Sequence, residues 1–316
     1  MPDKKIIAVT GATGAQGGGL ARAILADQDG PFTLRAITRK PDSDKARQLA
    51  DAGAEVVAAD IDDVESLVRS FGGAYGAFCV TNFWEHFSPA RETRQGGSLA
   101  KAAKRAGIKH AIWSTFEDTR ERVPLGDPRM PTLQGKYKVP HFDAKAEANR
   151  VFTELGVPTT FLLTSYYWEN LISFGAQPQR GPDGVLAFTL PMGRKKLPGV
   201  AVEDIGRFAY GVFKAGPEFI GKTVGVAGEH LTGEQMAASL TRALGQEVRH
   251  NALSPDAYRN LGFPGADDLG NMFQFKADFE SEYCSRRDLA LVGRLNPAVQ
   301  SFDEWLAANK ARIPLE

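Results

Sequence analysis

Residues 6–17 constrain the fold more than any other stretch. Ile6-Ile7-Ala8-Val9-Thr10 is a short apolar run rich in branched side chains, the pattern of a strand buried on both faces of a parallel sheet. It stops at Gly11. Gly11, Gly14 and Gly17 then fall at three-residue spacing, and an apolar helical stripe follows at Leu20, Ile24 and Leu25. Strand, glycine turn and helix in that order form the context in which such glycines cradle a dinucleotide. Gly11 permits a tight turn, Gly14 leaves the backbone open to a pyrophosphate, and Gly17 lets the helix lie close to the strand. The helix N-terminus offers free N–H groups and a partial positive charge to phosphate. An ordinary glycine turn in an α/β protein is the alternative, and the downstream residues bear on it.

Those residues keep alternating between strand and helix patterns, the signature of a parallel sheet covered on both faces. Strands are expected at Thr33–Thr38, Glu55–Ala59, Ala77–Val80, His110–Ser114 and Thr160–Leu163. Helices are expected at Lys45–Ala52, Val64–Phe71, a long stretch ending near Ala106, and Glu147–Leu155, the last closed by Gly156 and Pro158. After Leu163 the regularity fades. Residues 175–200 read as a loop or hairpin, 202–206 open another helix, and Thr223–Val226 looks like a strand returning to the sheet. Thr232…Gln235 and Ser301…Glu304 match a helix capping box. The expected fold class is therefore α/β, a Rossmann-type doubly wound sheet with a smaller mixed C-terminal lobe. The first domain covers 1–165 with a returning segment at about 200–230. The second takes 166–199 and 231–316.

Charge narrows the ligand. The chain's 38 basic and 38 acidic residues cancel, which argues against direct nucleic-acid binding or attraction to an anionic membrane. No run approaches the roughly 20 apolar residues of a membrane span. The leading residues pass straight into the first strand with no room for a signal peptide, and the two cysteines, Cys79 and Cys284, make no disulfide framework. A cytoplasmic protein without a metal site is expected.

The end of the second strand selects the dinucleotide. An acid there would favour NAD and repel a 2′-phosphate. The chain instead reads Thr38-Arg39-Lys40-Pro41, and Arg39 offers a two-pronged fork for phosphate with Lys40 beside it. NADP(H) is the expected cofactor; a solvated basic turn is the alternative. Asp60, after the third strand, falls where the adenine amino group is expected. Thr81-Asn82-Phe83, after the fourth, falls beside the other half of the cofactor. Asp and Asn are also common in plain turns.

Short-chain dehydrogenases pair a serine after the fifth strand with a Tyr-x-x-x-Lys helix. Ser114 holds the serine position, but the helix begins Pro140-His141-Phe142-Asp143-Ala144-Lys145. The four-residue spacing survives, so His141 and Lys145 share one face, and the tyrosine does not. An imidazole beside an ammonium favours its neutral form and is a poor proton donor, though its N–H can polarise an oxygen. His141 and Lys145 are the catalytic candidates. Tyr210…Lys214 is a literal Tyr-x-x-x-Lys match at the wrong place in the chain and is assigned to structure. Residues 118–140 form a long loop, either a lid over the cofactor or surface.

Taken together, these residues resemble the NmrA-like family of atypical short-chain dehydrogenases over nearly the whole chain. The carriers are Gly-Ala-Thr-Gly-Ala-Gln-Gly-Gly at 11–18, Thr-Arg at 38–39, Gly-Ala-Tyr at 73–75, Val-Thr-Asn-Phe-Trp-Glu at 80–85 and Arg-Gln-Gly at 94–96. His-Phe-Asp-x-Lys at 141–145, Glu169-Asn170, Leu-Gly-Phe-Pro-Gly-Ala at 261–266, Asn-Met-Phe at 271–273, Leu-Asn-Pro at 295–297 and Asp-x-Trp-Leu at 303–306 continue the match. The resemblance implies NADP(H) contacts from Gly11, Ala12, Thr13, Gly14, Ala15 and Gln16, from Arg39 and Lys40, and from Asp60 and Ile61. It adds Thr81, Asn82, Phe83, Arg94, Lys145, Tyr167, Trp168, Glu169 and Asn170. Arg94 stands where a lysine is expected and Trp168 where a phenylalanine is, and the 118–140 loop is longer than in those relatives.

The resemblance implies two functions and admits a third. Members of this branch lack the catalytic tyrosine and sense the NADPH/NADP ratio, switching a protein partner or self-association; that is the leading expectation. An NADPH-dependent reductase of quinones or similar conjugated acceptors is the alternative. A sugar-nucleotide epimerase shares the fold but needs the tyrosine.

Overall fold

The computed structural model describes residues 4–315, so the expectation about the first three residues lies outside it. The chain forms two compact units, each discontinuous in sequence. Of the described residues, the first takes 4–118, 141–164 and 203–224; the second takes 119–140, 165–202 and 225–315.

In the first unit the strands are β1 (Lys5–Thr10), β2 (Phe32–Thr38), β3 (Glu55–Ala58), β4 (Gly76–Cys79), β5 (His110–Thr115) and β6 (Thr159–Leu163). The helices are α1 (Ala15–Ala26), α2 (Asp44–Asp51), α3 (Val64–Phe71), α4 (Pro89–Arg105), α5 (Pro140–Glu154) and, later in the chain, Val202–Ala215. The sheet runs β3-β2-β1-β4-β5-β6, with Thr223–Gly225 as a seventh strand beside β6. β1 pairs in parallel with β2 on one side and β4 on the other, Val9 lying opposite both Ala36 and Phe78. The chain therefore winds outward in both directions from the β1/β4 pair. Ligands of such sheets bind at the carboxyl ends there, at the switch point.

Packing explains why these residues take these elements. Every residue of β4 and β5 is buried, as strands covered on both faces must be. On one face Trp113 stacks on Phe152 at 5.3 Å in a cluster with Leu67, Phe71 and Leu99. A Cβ at Gly96 of α4 would come within 2.5 Å of the Ala148 Cβ of α5, so the two helices meet closely there. Ser43, Asp63 and Ser88 cap α2, α3 and α4 by accepting backbone N–H bonds, whereas α1 starts at Gly14 with no side-chain cap.

The second unit carries two three-stranded sheets. Tyr166–Tyr167, Leu197–Val200 and Glu229–Leu231 form one; Gln179–Arg180, Leu186–Thr189 and Val248–Asn251 form the other. Both expected capping boxes are present, at Thr232 and Ser301. Residues 119–140 group with this unit, and side-chain bonds hold them there. Asn271 donates to the carbonyls of Pro131 and Lys138 at 2.9 and 2.5 Å, and Gln274 donates to that of Arg129 at 2.7 Å. The buried Lys138 ammonium in turn holds the carbonyls of Asp127 and Met130. The Asn-Met-Phe stretch at 271–273 thus anchors the long loop to the Ala266–Asp278 helix.

Candidate cofactor site

The turn after β1 is a backbone device. The Thr10 hydroxyl donates to the Phe78 carbonyl and accepts from the Val80 N–H, both at 3.0 Å, locking the carboxyl ends of β1 and β4 together. Gly11 has φ +62°, open to glycine and strained for other residues. The Gly14 N–H closes the turn on the Gly11 carbonyl at 2.8 Å. A Cβ at Gly17 would lie 2.5 Å from the Gly11 oxygen and 2.7 Å from the Thr10 oxygen. Gly14 and Ala15 are exposed, and α1 starts without a side-chain cap on its first N–H groups. A concave backbone, no side chain across it and an open helix end together fit a dinucleotide pyrophosphate.

Beside this turn, Arg39 and Lys40 follow β2 and are exposed. Arg39 is engaged: its Nη1 and Nη2 reach the two carboxylate oxygens of Glu85 at 2.8 and 3.1 Å. The Glu85 hydrogen bonds hold the guanidinium pKa above its ordinary value, and the same bonds hold the Glu85 carboxyl below the usual range. Asp60 accepts the Asp62 N–H at 2.9 Å, folding its loop back, with Ile61 half-buried between them. Asp62 pairs with Arg91 at 2.7 Å. Arg94 is exposed on α4.

At the ends of β4 and β5 the geometry is a buried polar network. The Lys145 ammonium lies 2.6 Å from a Glu92 carboxylate oxygen, 2.5 Å from the Thr81 hydroxyl and 3.2 Å from the Thr81 carbonyl. Those three acceptors match its three N–H bonds. The Thr81 hydroxyl donates to the same Glu92 oxygen, and the His86 Nε2 lies 3.3 Å from the other. His86 Nδ1 accepts the Ser88 N–H, so the proton of a neutral ring sits on Nε2, facing Glu92. Burial pushes the Glu92 carboxyl up, but Lys145 and Thr81 outweigh it and bring it below its ordinary value. Lys145, a catalytic candidate, thus braces Thr81 and neutralises Glu92.

The other proton-transfer positions are also engaged. The Ser114 hydroxyl donates to Gln16 Oε1 at 2.8 Å, tying β5 to the glycine turn. His141 is buried among rings: Trp84 at 4.8 Å, Phe142 at 4.7 Å, Phe83 and Phe116 at 5.9 Å. Asn82 is exposed and Phe83 buried. Tyr210 is structural, as expected: its hydroxyl donates to Asp27 at 2.7 Å, and its ring packs edge-on against Phe32.

The 167–170 segment lies in the second unit, and its side chains serve packing there. Trp168 is buried against Phe302 at 5.3 Å, and a Cβ at Gly228 would come within 2.8 Å of its ring. Glu169 accepts the Val202 N–H and the Trp305 Nε1–H, both at 2.9 Å; burial, outweighing those bonds, holds its carboxyl above the usual range. The Trp168 and Glu169 side chains are therefore occupied where the resemblance implied cofactor contacts. Tyr167 ends a short strand and Asn170 opens a one-turn helix.

The profile of the NmrA-like family matches residues 3–306. The chain belongs to that family. It is 30% identical over 289 residues to the NmrA-like family domain-containing oxidoreductase FrzB of a Cladobotryum species, covering 85% of this chain and 83% of that one. Among solved structures, NmrA, a negative transcriptional regulator, in complex with NADP superposes with a TM-score of 0.76 at 24% identity, over 96% of this chain and 94% of that one. The triphenylmethane reductase of a Citrobacter species, complexed with NADP(H), gives 0.74 at 20% identity, over 96% and 99%. At these identities the two structures speak for the shared fold. In this NmrA-like chain Glu92 and His86 are the site residues that sequence reasoning missed. Glu92 sits in the first turn of α4, where an acid is ordinary helix chemistry. Its pairing with Lys145 joins residues from different elements and leaves no local signature.

Proposed function

We propose that this chain is an NADP(H)-dependent reductase of quinones or similar conjugated acceptors, which take a hydride without a proton from a protein side chain. One contrast carries the reading. The dinucleotide turn is open, while Ser114, position 141 and Lys145, which move the proton in a short-chain dehydrogenase, are a serine tied to Gln16, a histidine packed among rings and a lysine paired to Glu92. When bound, the cofactor supplies the hydride from its nicotinamide ring. The residues of this chain bind and orient it. The Gly11–Gln16 backbone and the α1 N-terminus hold the pyrophosphate, Arg39 and Lys40 hold the 2′-phosphate, and Asp60 and Ile61 flank the adenine. Thr81, braced by Lys145, lines the nicotinamide half with Asn82 and Phe83, and Arg94 adds positive charge nearby. The hydride supplies one hydrogen of the reduced product, and the single proton that completes it comes from water. Relatives named as oxidoreductases support the reading, as do NADP(H)-bound proteins of the same fold. The test is NADPH oxidation with a panel of quinones and simple aldehydes. Turnover of quinones far above aldehydes is expected, and no turnover of any quinone would contradict it.

A second reading is a sensor of the NADPH/NADP ratio acting through a protein partner or self-association. It is favoured by the Lys145 ammonium, whose three N–H bonds face Glu92 and Thr81, leaving none for the nicotinamide ribose. It expects no turnover, but a change in protease sensitivity or sedimentation when NADPH is added; neither changing would remove it.

A further inference from the structure

We propose that Glu85 is an internal competitor for the cofactor's 2′-phosphate, so that NADP(H), unlike NAD(H), binds by releasing the Phe83–Glu85 turn from Arg39. This rests on the reading of Arg39 as the phosphate-binding residue. A guanidinium offers an end-on Nη1/Nη2 edge and a side-on Nε edge, and carboxylate and phosphate engage either in the same two-bond manner. Glu85 occupies the end-on edge through both of its oxygens, so a phosphate docking on that edge displaces it. The two residues are 46 positions apart in the chain. Arg39 follows β2 and Glu85 follows β4, and β1 lies between those strands. The pair therefore spans the position of β1 at the edge where the glycine turn opens.

The neighbouring acids do not substitute for Glu85. Asp60 and Asp62 also favour the charged form of Arg39, but Asp62 is bonded to Arg91 and Gln95, and Asp60 folds back on the Asp62 N–H. The Arg39 and Glu85 side chains are 55% and 44% exposed, so water screens the pair and it is weak enough for a doubly charged phosphate to displace. Displacement has somewhere to be felt. Glu85 ends a single 3-10 turn, and Phe87, just beyond it, has φ +53°, a conformation rarely adopted by a residue with a side chain. Trp84, next to Glu85, packs on Phe83, Phe87 and His141. Binding of the 2′-phosphate is thereby transmitted to the aromatic cluster around position 141.

The probes are 2′,5′-ADP and 5′-AMP, which differ in the 2′-phosphate, titrated calorimetrically into the full chain, Glu85→Gln, Arg39→Ala and the double variant. Removing the competing charge is expected to tighten 2′,5′-ADP roughly 1.5- to fivefold, the scale of one exposed ion pair. Affinity for 5′-AMP should stay unchanged, and Glu85→Gln should gain nothing once Arg39 is alanine. Tryptophan emission should respond to 2′,5′-ADP and not to 5′-AMP, and Trp84→Phe should remove the response. If the wild-type chain prefers 2′,5′-ADP through Arg39 yet Glu85→Gln binds it no more tightly, the competitor is overturned and the cofactor assignment stands. If neither protein prefers 2′,5′-ADP, the phosphate reading falls and this inference falls with it.

Discussion

The two ends of the crevice in the first unit are built in opposite ways. At the β1 end, Gly11, Gly14 and Gly17 shape a surface from backbone, with no ionisable side chain between 11 and 17. At the β4 end, Thr81, His86, Glu92 and Lys145 come from three separate segments and form a charged network buried in the protein. The first works by leaving side chains out, the second by neutralising charges against each other. The difference teaches that a cofactor site divides into a part whose geometry is local in the chain and a part that exists only after folding.

The largest expected effect tests the charged end. Lys145→Met leaves Glu92 buried without its cation, which should cost about 3–5 kcal/mol of stability in denaturant titration. Lys145→Met combined with Glu92→Leu should recover much of that loss, because the cost lies in the unpaired charge. Loss in the double variant equal to the sum of the singles would show that the two residues act independently and would dissolve the contrast.

A smaller effect tests the backbone end. Gly17→Ala puts a methyl within 2.5 Å of the Gly11 oxygen, a main-chain atom with no rotamer to change. A loss of about 1–3 kcal/mol is expected, the range for overpacking, together with weaker dinucleotide binding. Unchanged thermal unfolding and unchanged affinity would show that the close approach of α1 to the turn is unnecessary.

Acid should separate the two ends with the smallest effect. The Glu92 carboxyl is held below its unfolded value, so its contribution is fully present above the ordinary carboxylate pKa of about 4.3 and is lost as pH falls through the lower folded value. The wild-type chain should therefore lose more stability below about pH 4 than Glu92→Gln does. The glycine turn, with nothing to titrate, contributes no such slope. Parallel pH profiles would place the acid sensitivity elsewhere.

The same division explains what could be read from the chain. β1 and β4 were legible because they are short, largely apolar runs covered on both faces. Gly11 to Gly17 was legible because the turn's chemistry is glycine spacing. The Tyr210 match could be dismissed from its position, and its bond to Asp27 agrees. Glu92 and His86 were not legible, since a first-turn glutamate and a loop histidine look ordinary until Lys145 arrives from α5. Trp168 and Glu169 carry family motifs, yet their side chains meet Phe302, Trp305 and the Val202 N–H, contacts set by distant sequence. What residues 119–140 pack against was not legible for the same reason, since Asn271 and Gln274 bond to them from far along the chain.

The central claim is that a 2′-phosphorylated dinucleotide lies across the turn after β1 with Arg39 on its extra phosphate. Parallel calorimetric titrations of NADPH and NADH into the wild-type chain and Arg39→Ala test it most directly. NADPH should bind far more tightly to the wild-type chain, and the preference should largely vanish in the variant. Equal affinities in the wild-type chain, or a preference that survives the loss of Arg39, would contradict it.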